Sequence, residues 1–417
     1  MRHLTVCLML ASVAFAQPPG ANYDEAKVPN YTLPELLKLN SGEAVKDAKT
    51  WREKRRPEVY SLLEQQMFGR APGRPERMTF ELTSMEPNAL GGKAVRKEIA
   101  ITTAGKTFSL LLYLPKGVKG PVPVFLGLNF QGNHAAAKEA GVKLAMTWPR
   151  ASKGAEVVAT QAAETSRGGA ASRWSLDLIL SKGYGVGTVY YGDIEPDYNG
   201  GMKHGVRPYY LKGKAEAADD WGAIAAWAWG LSRAMDYLET DKAVDSKKVA
   251  LMGHSRLGKT SLWAGAADER FAIVISNDSG EGGAAISRRM FGENVKNLNT
   301  SFPHWFTGNY KQYNERVAEM PFDSHFLIAL IAPRPVYVNS AQEDQWADPR
   351  GEFLGAVAAS PVWRLYGKKG IETDKMPGIH QPVGDAVGYH VRAGKHDVTD
   401  YDWEQWIKFA DRHFGRR

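Results

Sequence analysis

The sequence predicts an α/β fold: a three-layer αβα sandwich around a mostly parallel central sheet, with an antiparallel edge supplied by the N-terminal strands. Three observations carry that expectation. From residue 122 onward, apolar strand-like runs and helix-like segments take turns, the pattern of parallel strands joined by crossover helices. Ahead of them, the early strand-like stretches alternate apolar and polar side chains, as an antiparallel sheet with one wet face does. Residues 249–259 run from a β-branched stretch into a serine flanked by glycines and on into a helix.

Taken in order, residues 33–37 and 51–68 carry helix-like apolar spacing. Arg70-Ala71-Pro72-Gly73-Arg74-Pro75 then breaks the pattern, which places an N-terminal helical extension at 17–75 and the main α/β domain at 76–417. Strands are expected at 78–82, 96–102 and 108–114, followed by the nearly continuous apolar run 122–128 of a strand buried on both faces. The next strand is 184–190, and 219–239 is a long helix whose Trp221, Trp227 and Trp229 are core side chains. Residues 249–252, 271–276 and 334–338 complete the strands, and 403–414 is a final amphipathic helix. The stretch 279–320, rich in Asn, Gly and aromatic residues, is long for a connection and reads as a functional insertion near the site.

With 417 residues, 43% of them hydrophobic, the chain can bury a substantial core. Arg2, the apolar run from Leu4 to Phe15 and the small-x-small sequence Ala14-Phe15-Ala16 form a secretory signal peptide at 1–16, cleaved after Ala16; the run is too short to span a bilayer. The mature protein is therefore expected to be exported, periplasmic or secreted, with no membrane attachment. Its one cysteine, Cys7, lies in that signal, so neither disulfides nor thiolate metal sites remain. The formal charge of +7 becomes +6 without Arg2, and the basic residues are scattered among acidic ones. No basic stripe interleaved with aromatics points to nucleic acid. Neither metal nor organic cofactor is called for, and the chain is taken as a monomer.

The chemistry centres on Gly253-His254-Ser255-Arg256-Leu257-Gly258-Lys259. A strand that ends in a sharp turn and hands over to a helix is how an α/β-hydrolase presents a nucleophilic serine, usually as Gly-x-Ser-x-Gly; here the second glycine stands one residue late. A serine hydroxyl needs a base to take its proton, and the base needs a carboxylate to hold its tautomer. In this fold the chain order is Ser, acid, His. Residues 331–340 read as a strand, and the acidic loop behind it holds Asp344, the favoured carboxylate, beside its rival Glu343. His396 follows a short strand and precedes the last helix, the place of the base. His254 adjoins Ser255 but is expected to point away from it, and His390 falls within a strand, leaving His134, His304 and His380 as loop histidines.

The heptapeptide resembles the Gly-Cys-Ser-Arg-x-Gly-Lys signature of the glucuronoyl esterases, carbohydrate esterases of the α/β-hydrolase fold, which accounts for the displaced glycine. Further motifs resemble the bacterial branch: Gly127-Leu128-Asn129-Phe130-Gln131-Gly132-Asn133-His134, Asn277-Asp278-Ser279-Gly280-Glu281-Gly282-Gly283, Gly292-Glu293, Phe302-Pro303-His304-Trp305-Phe306 and Gln345-Trp346-Ala347-Asp348-Pro349. The likeness implies a serine esterase that cuts the ester between 4-O-methyl-glucuronic acid of glucuronoxylan and lignin alcohols through an acyl-enzyme. It implies Ser255 as nucleophile, His396 as base, and Arg256 as an oxyanion donor through side chain and amide. Lys259, Glu293 and Trp346 would bind the uronic acid. Fungal relatives place a glutamate in the segment matching Asn277-Asp278-Ser279, many bacterial ones a carboxylate after the later strand; this chain has Asp278 and Asp344 there, and Asp344 is preferred because Asp278 is one methylene shorter than the fungal glutamate. The competing readings are an acetyl xylan or cephalosporin-type deacetylase and a noncatalytic carbohydrate-binding protein of the same fold.

Overall fold

The structure, a computed structural model, describes residues 21–149 and 157–416; the signal peptide and Cys7 lie outside the described residues. Ten strands form one sheet: β1 Met78–Asn88, β2 Ala94–Thr103, β3 Lys106–Pro115, β4 Val122–Asn129, β5 Gly185–Tyr190, β6 Val244–His254, β7 Ile273–Asn277, β8 Val336–Ala341, β9 Val383–Gly384 and β10 Val387–Arg392. Their spatial order is β1-β2-β3-β5-β4-β6-β7-β8-β10-β9. Strands β1 to β3 pair antiparallel and join β5 antiparallel, while β5, β4, β6, β7, β8 and β10 are mutually parallel. This is the mixed sheet expected, with its antiparallel edge at the N-terminal side.

Alternation along the central strands divides the core in two. In β6, Val249 and Leu251 pack with α3 (Ala223–Leu238), α4 (Arg256–Ala267) and α5 (Pro349–Ala359) through Trp227, Leu262 and Phe353. Ala250 and Met252 face the other side, where α2 (Leu176–Ser181) and α6 (Asp400–Phe414) bring Ile179, Trp403 and Trp406. Both faces of the sheet are therefore covered, which is why these strands read as unbroken apolar runs. Trp221, Trp227 and Trp229 are all buried, as expected of core side chains.

The N-terminal segment packs into the same core. A helical run through Trp51–Arg55, α1 (Arg56–Leu63) and Glu64–Phe68 buries Trp51, Val59, Leu63 and Phe68. Trp263 of α4 is stacked between Tyr60 and Phe68, with ring centroids 5.1 Å and 4.4 Å away. Such pairs contribute about 1 kcal/mol each beyond their burial, and they fix the position of the helix that follows Ser255. The run stops at Gly69, φ 87°, where a Cβ would lie 2.3 Å from the Asp220 carbonyl oxygen.

Among the differences from the sequence expectation, two have a local cause. Residues 33–37 form an extended stretch and a turn rather than a helix: the Val45 N–H donates to Leu37 O and the Leu39 N–H to Glu43 O, each at 2.8 Å. Pro34 removes one helical donor, and this local pairing engages the Leu37 carbonyl instead. The last helix begins before 403 because Thr399 and Asp402 form a capping box, and it ends at Gly415, φ 65°.

Candidate active site

The carboxyl ends of the parallel strands meet at one rim of the sheet, where ligands bind in open α/β sheets. Phe130 follows β4, Asp197 follows β5, Ser255 follows β6, Asp278 follows β7, Asp344 follows β8 and His396 follows β10. Ser255 sits at φ 59°, ψ −131°, a strained turn for a side-chain-bearing residue. Its N–H donates to Asn277 O at 2.9 Å, and its carbonyl accepts from Gly258 N at 2.8 Å. The glycines serve different contacts. A Cβ on Gly253 would lie 1.9 Å from Leu257 O, whereas one on Gly258 would lie 3.0 Å from Ser279 Cβ and 3.2 Å from Asn277 O. Leu257, at the usual glycine position, is buried in the core, so the residue that must be small is the next one, facing the end of β7. Gly253→Ala is accordingly expected to destabilise the protein by about 3 kcal/mol and Gly258→Ala by about 1 kcal/mol, both read from chemical denaturation midpoints. Equal midpoints for the two variants would contradict this account.

His396 reaches the rim on a loop held at several points. Arg392, buried, donates to the carbonyls of Ala393, Lys395 and Asp397 at 3.0, 2.9 and 2.6 Å, while its Nε is anchored on Asp402 at 2.8 Å. The Gln342 N–H donates to Arg392 O at 2.8 Å and the Glu343 N–H to Gly394 O at 3.0 Å, docking the loop on the acid loop. The result is a 2.6 Å hydrogen bond between His396 Nδ1 and Asp344 Oδ2. Asp344 is buried and Glu343 exposed, so the two rivals part company: only Asp344 reaches the imidazole. Asp278, φ 45°, is buried behind them and accepts from Ala341 N at 2.6 Å. Burial pushes its carboxyl well above the ordinary range, and the charges of Asp344 and Glu352 push the same way. Glu352 ties this loop down, accepting from Ser279 N at 2.7 Å, Gly280 N at 3.0 Å and Ser340 Oγ at 2.6 Å. Asp278, Asp344 and His396 are the one group among the described residues whose donor atoms converge within 4.8 Å as a metal site requires. In that group His396 Nδ1 is engaged by Asp344, and Asp278 Oδ2 has the Arg392 guanidinium 3.5 Å away, a cation already in place.

Ser255, Arg256 and His396 line a cleft of about 390 Å³ together with Phe130, Tyr191 and Asp197. Arg256 Nη1 pairs with Asp197, and its guanidinium lies over Trp305 at 4.9 Å, Phe302 at 5.5 Å and Phe130 at 5.7 Å. Its Nε has no hydrogen-bond partner among the described residues. Asp197 also accepts from Trp305 Nε1 at 2.6 Å, His304 Nε2 at 2.8 Å and the Tyr191 hydroxyl at 3.1 Å. Burial favours the neutral acid, but the His304 bond, the Arg256 charge and the Trp305 bond outweigh it and hold this carboxyl below the usual range. The aromatic segment is itself set by α3: the N–H groups of Ala223 and Ile224 donate to His304 O and Trp305 O at 2.9 and 3.2 Å. Gly222 permits that approach, since a Cβ there would lie 2.3 Å from Trp305 O.

The structure brings Lys259, Glu293 and Trp346 into one cluster. Lys259 is buried, donates to Ser279 O at 2.6 Å, lies 3.6 Å from Glu293 Oε2 and sits 5.6 Å over Trp305. The Glu293 N–H donates to Trp346 O at 2.9 Å, and Trp346 is half-buried. Burial raises the Glu293 carboxyl, and the Lys259 charge opposes the rise.

Four contributors escaped the sequence reading. Asp197 stands after a strand end, the one signal that could have flagged it. Arg392 works through carbonyls that no motif predicts. Tyr23, at the start of the described chain, has its hydroxyl raised by burial and by the charges of Asp344 and Glu293, so the N-terminal segment reaches this rim. His254, expected to point away, instead lies against His396 with ring centroids 4.3 Å apart and lines the same cleft. The strand's period of two explains it, since Ala250, Met252 and His254 share the face on which the His396 loop arrives.

An α/β sheet with a strained serine turn and a His–Asp pair at its carboxyl rim is the arrangement of the serine hydrolases of the α/β-hydrolase fold. The family model for glucuronyl esterases of fungi matches residues 184–367, and the chain is 52% identical over 405 residues to a carbohydrate esterase of an unknown prokaryotic organism, covering 96% of this chain and 93% of that one. A glucuronoyl esterase from Solibacter usitatus aligns at 57% identity with a TM-score of 0.90 over 94% of this chain and 100% of that one; a 4-O-methyl-glucuronoyl methylesterase from Neurospora crassa is 26% identical over 390 residues, 88% of this chain and 84% of that one. The chain belongs to the glucuronoyl esterase family.

Proposed function

We propose that the chain hydrolyses the ester between 4-O-methyl-glucuronic acid of glucuronoxylan and lignin alcohols, acting as an exported monomer released by cleavage after Ala16. Export is supported by the sequence of residues 1–16, and no described helix is long and apolar enough to cross a membrane. The observation that carries the catalytic reading is the 2.6 Å bond from His396 Nδ1 to Asp344, beside a cleft that also holds Ser255. With Nδ1 so occupied, Nε2 is left to take the Ser255 proton. Ser255 Oγ attacks the ester carbonyl carbon, His396 accepts its proton and returns it to the leaving alcohol, and water then hydrolyses the acyl-enzyme by the same path.

Arg256 supports the oxyanion. Asp197 fixes its guanidinium against three aromatic rings at the cleft that Ser255 lines. A donor so placed is worth about 3 kcal/mol in the transition state. Lys259, Glu293 and Trp346 bind the hydroxyls of the uronate, the acyl half of the substrate. The side chain of His396 is 41% exposed, so the leaving alcohol departs toward solvent and bulky aromatic alcohols fit.

Hydrolysis rates on methyl 4-O-methylglucuronate and on an acetylated xylose test the acyl preference. The uronate ester is expected to react faster. Acetate release faster by more than about tenfold, about 1.4 kcal/mol in the barrier, would replace this reading with a deacetylase.

A further inference from the structure

His254 is not used by the mechanism above, yet its ring lies 4.3 Å from that of His396, inclined at 40°. Its environment fixes more than its place. Trp406 Nε1 donates to Asn339 Oδ1 at 2.9 Å, and an indole nitrogen can only donate. The Asn339 oxygen is thereby identified, so its Nδ2 is the atom that donates to Asn277 Oδ1 and, at 3.2 Å, to Asp402 Oδ1. Asn277 is oriented in turn: its Nδ2 donates to the Asp397 carbonyl at 3.0 Å and to His254 Nδ1 at 2.6 Å. Every member of this ladder is buried, from the C-terminal helix through β8 and β7 to the end of β6. The direction of each bond follows from the indole, and the last requires His254 Nδ1 to be an acceptor. Its proton therefore sits on Nε2.

We propose that His254 is a positioning residue for His396, an imidazole held as its Nε2–H tautomer by the Trp406–Asn339–Asn277 ladder and packed at a tilt against the catalytic ring to keep it aligned between Asp344 and Ser255. The inference rests on the reading of His396 as the base. His396 sits on an exposed loop, and a single bond through Nδ1 leaves its ring free to swing about that bond. A flat ring against its face removes that freedom. The partner must stay uncharged, because a second imidazolium at this distance would oppose the one formed in catalysis. The groups facing His254 enforce this: burial first, then His396, Arg173, Arg392 and Arg256 all disfavour its protonation. The one nearby acid, Asp278, has Oδ2 3.9 Å from His254 Nδ1 and is itself pushed toward its neutral form.

Two measurements test the proposal. In the wild-type protein, long-range proton–nitrogen NMR of the histidine rings should show His254 as the Nε2–H tautomer, unprotonated from about pH 5 to about pH 8. An Nδ1–H tautomer or a charged ring would overturn it, whether or not any variant folds. In kinetics on a glucuronate ester, His254→Ala should lower kcat about thirtyfold with KM within about threefold, and His254→Phe, which restores a flat ring, should recover most of that loss. A wild-type kcat in the alanine variant, a loss confined to KM, or a phenylalanine variant no better than alanine would each overturn the role. His396→Ala run in parallel separates the two readings: full activity there means the base assignment itself fails, whereas loss there without loss in His254→Ala refutes only the positioning.

Discussion

Ser255→Ala should reduce kcat on a glucuronate ester by about a millionfold while leaving the dissociation constant for free glucuronate within about threefold, measured by calorimetry. The first half follows from what else the cleft holds. Among the residues lining it, Ser255 is the one aliphatic hydroxyl. The other hydroxyls there are the phenols of Tyr190, pushed up to about 12 by burial, and Tyr191, pushed well above its usual value by burial and the charge of Asp197, while the Asp197 carboxylate is engaged by Arg256, Trp305 and His304. Neither phenol supplies a phenolate near neutral pH, so neither takes over the attack. The second half follows from the backbone. Alanine at φ 59° carries the same strain as serine there, and the bonds that set the turn are made by main-chain atoms, Ser255 N to Asn277 O and Gly258 N to Ser255 O. The cluster of Lys259 and Glu293 that we propose binds the uronate is anchored through Ser279 O and Trp346 O, not through the hydroxyl. Residual turnover above about one part in a hundred would show that some other group attacks the ester.

What could be read in advance is what the chain encodes locally. Strands β4, β6 and β7 are legible because both faces are buried and the whole run must be apolar. The turn at Ser255 is legible because Gly253 stands where a Cβ would meet a carbonyl. Boundaries were less so. β1 extends to Asn88 through a bulge after Leu82, with Leu82 and Met85 exposed, and edge pairing of this kind leaves no alternation to read. The site divides the same way. Ser255, Asp344 and His396 follow from the order in which strands end, but whether Asp344 or Asp278 meets the imidazole depends on the docking of two loops by main-chain bonds from Gln342 and Glu343. Asp197 and Arg256 stand 59 positions apart, and Asn277 and Asp397 120 apart; such pairs are products of the sheet order, which no local pattern states.

Asp344→Asn is expected to lower kcat/KM by about three to four orders of magnitude, and Asp278→Asn by no more than about tenfold. The asymmetry has two sources. Asp344 Oδ2 accepts from His396 Nδ1 at 2.6 Å and, in the mechanism we propose, steadies the imidazolium that forms when Ser255 loses its proton. An asparagine there can turn its amide N–H toward Nδ1, which moves the imidazole proton to Nε2 and leaves the face toward Ser255 unable to accept. Asp278 is buried, and burial together with the charges of Asp344 and Glu352 favours its neutral form. An amide imitates a protonated carboxyl well: the bond from Ala341 N to Oδ1, 2.6 Å, survives, and the cost is a nitrogen placed 3.5 Å from Arg392 Nη2 and 3.3 Å from Asn277 Nδ2. Kinetics of both single variants on the same ester therefore assign the acid directly, and a larger loss in Asp278→Asn than in Asp344→Asn would transfer the orienting role to Asp278. Both carboxyls converge on one histidine, but only Asp344 hydrogen-bonds it, while burial first, and then the charges of Asp344 and Glu352, keep Asp278 from ionising.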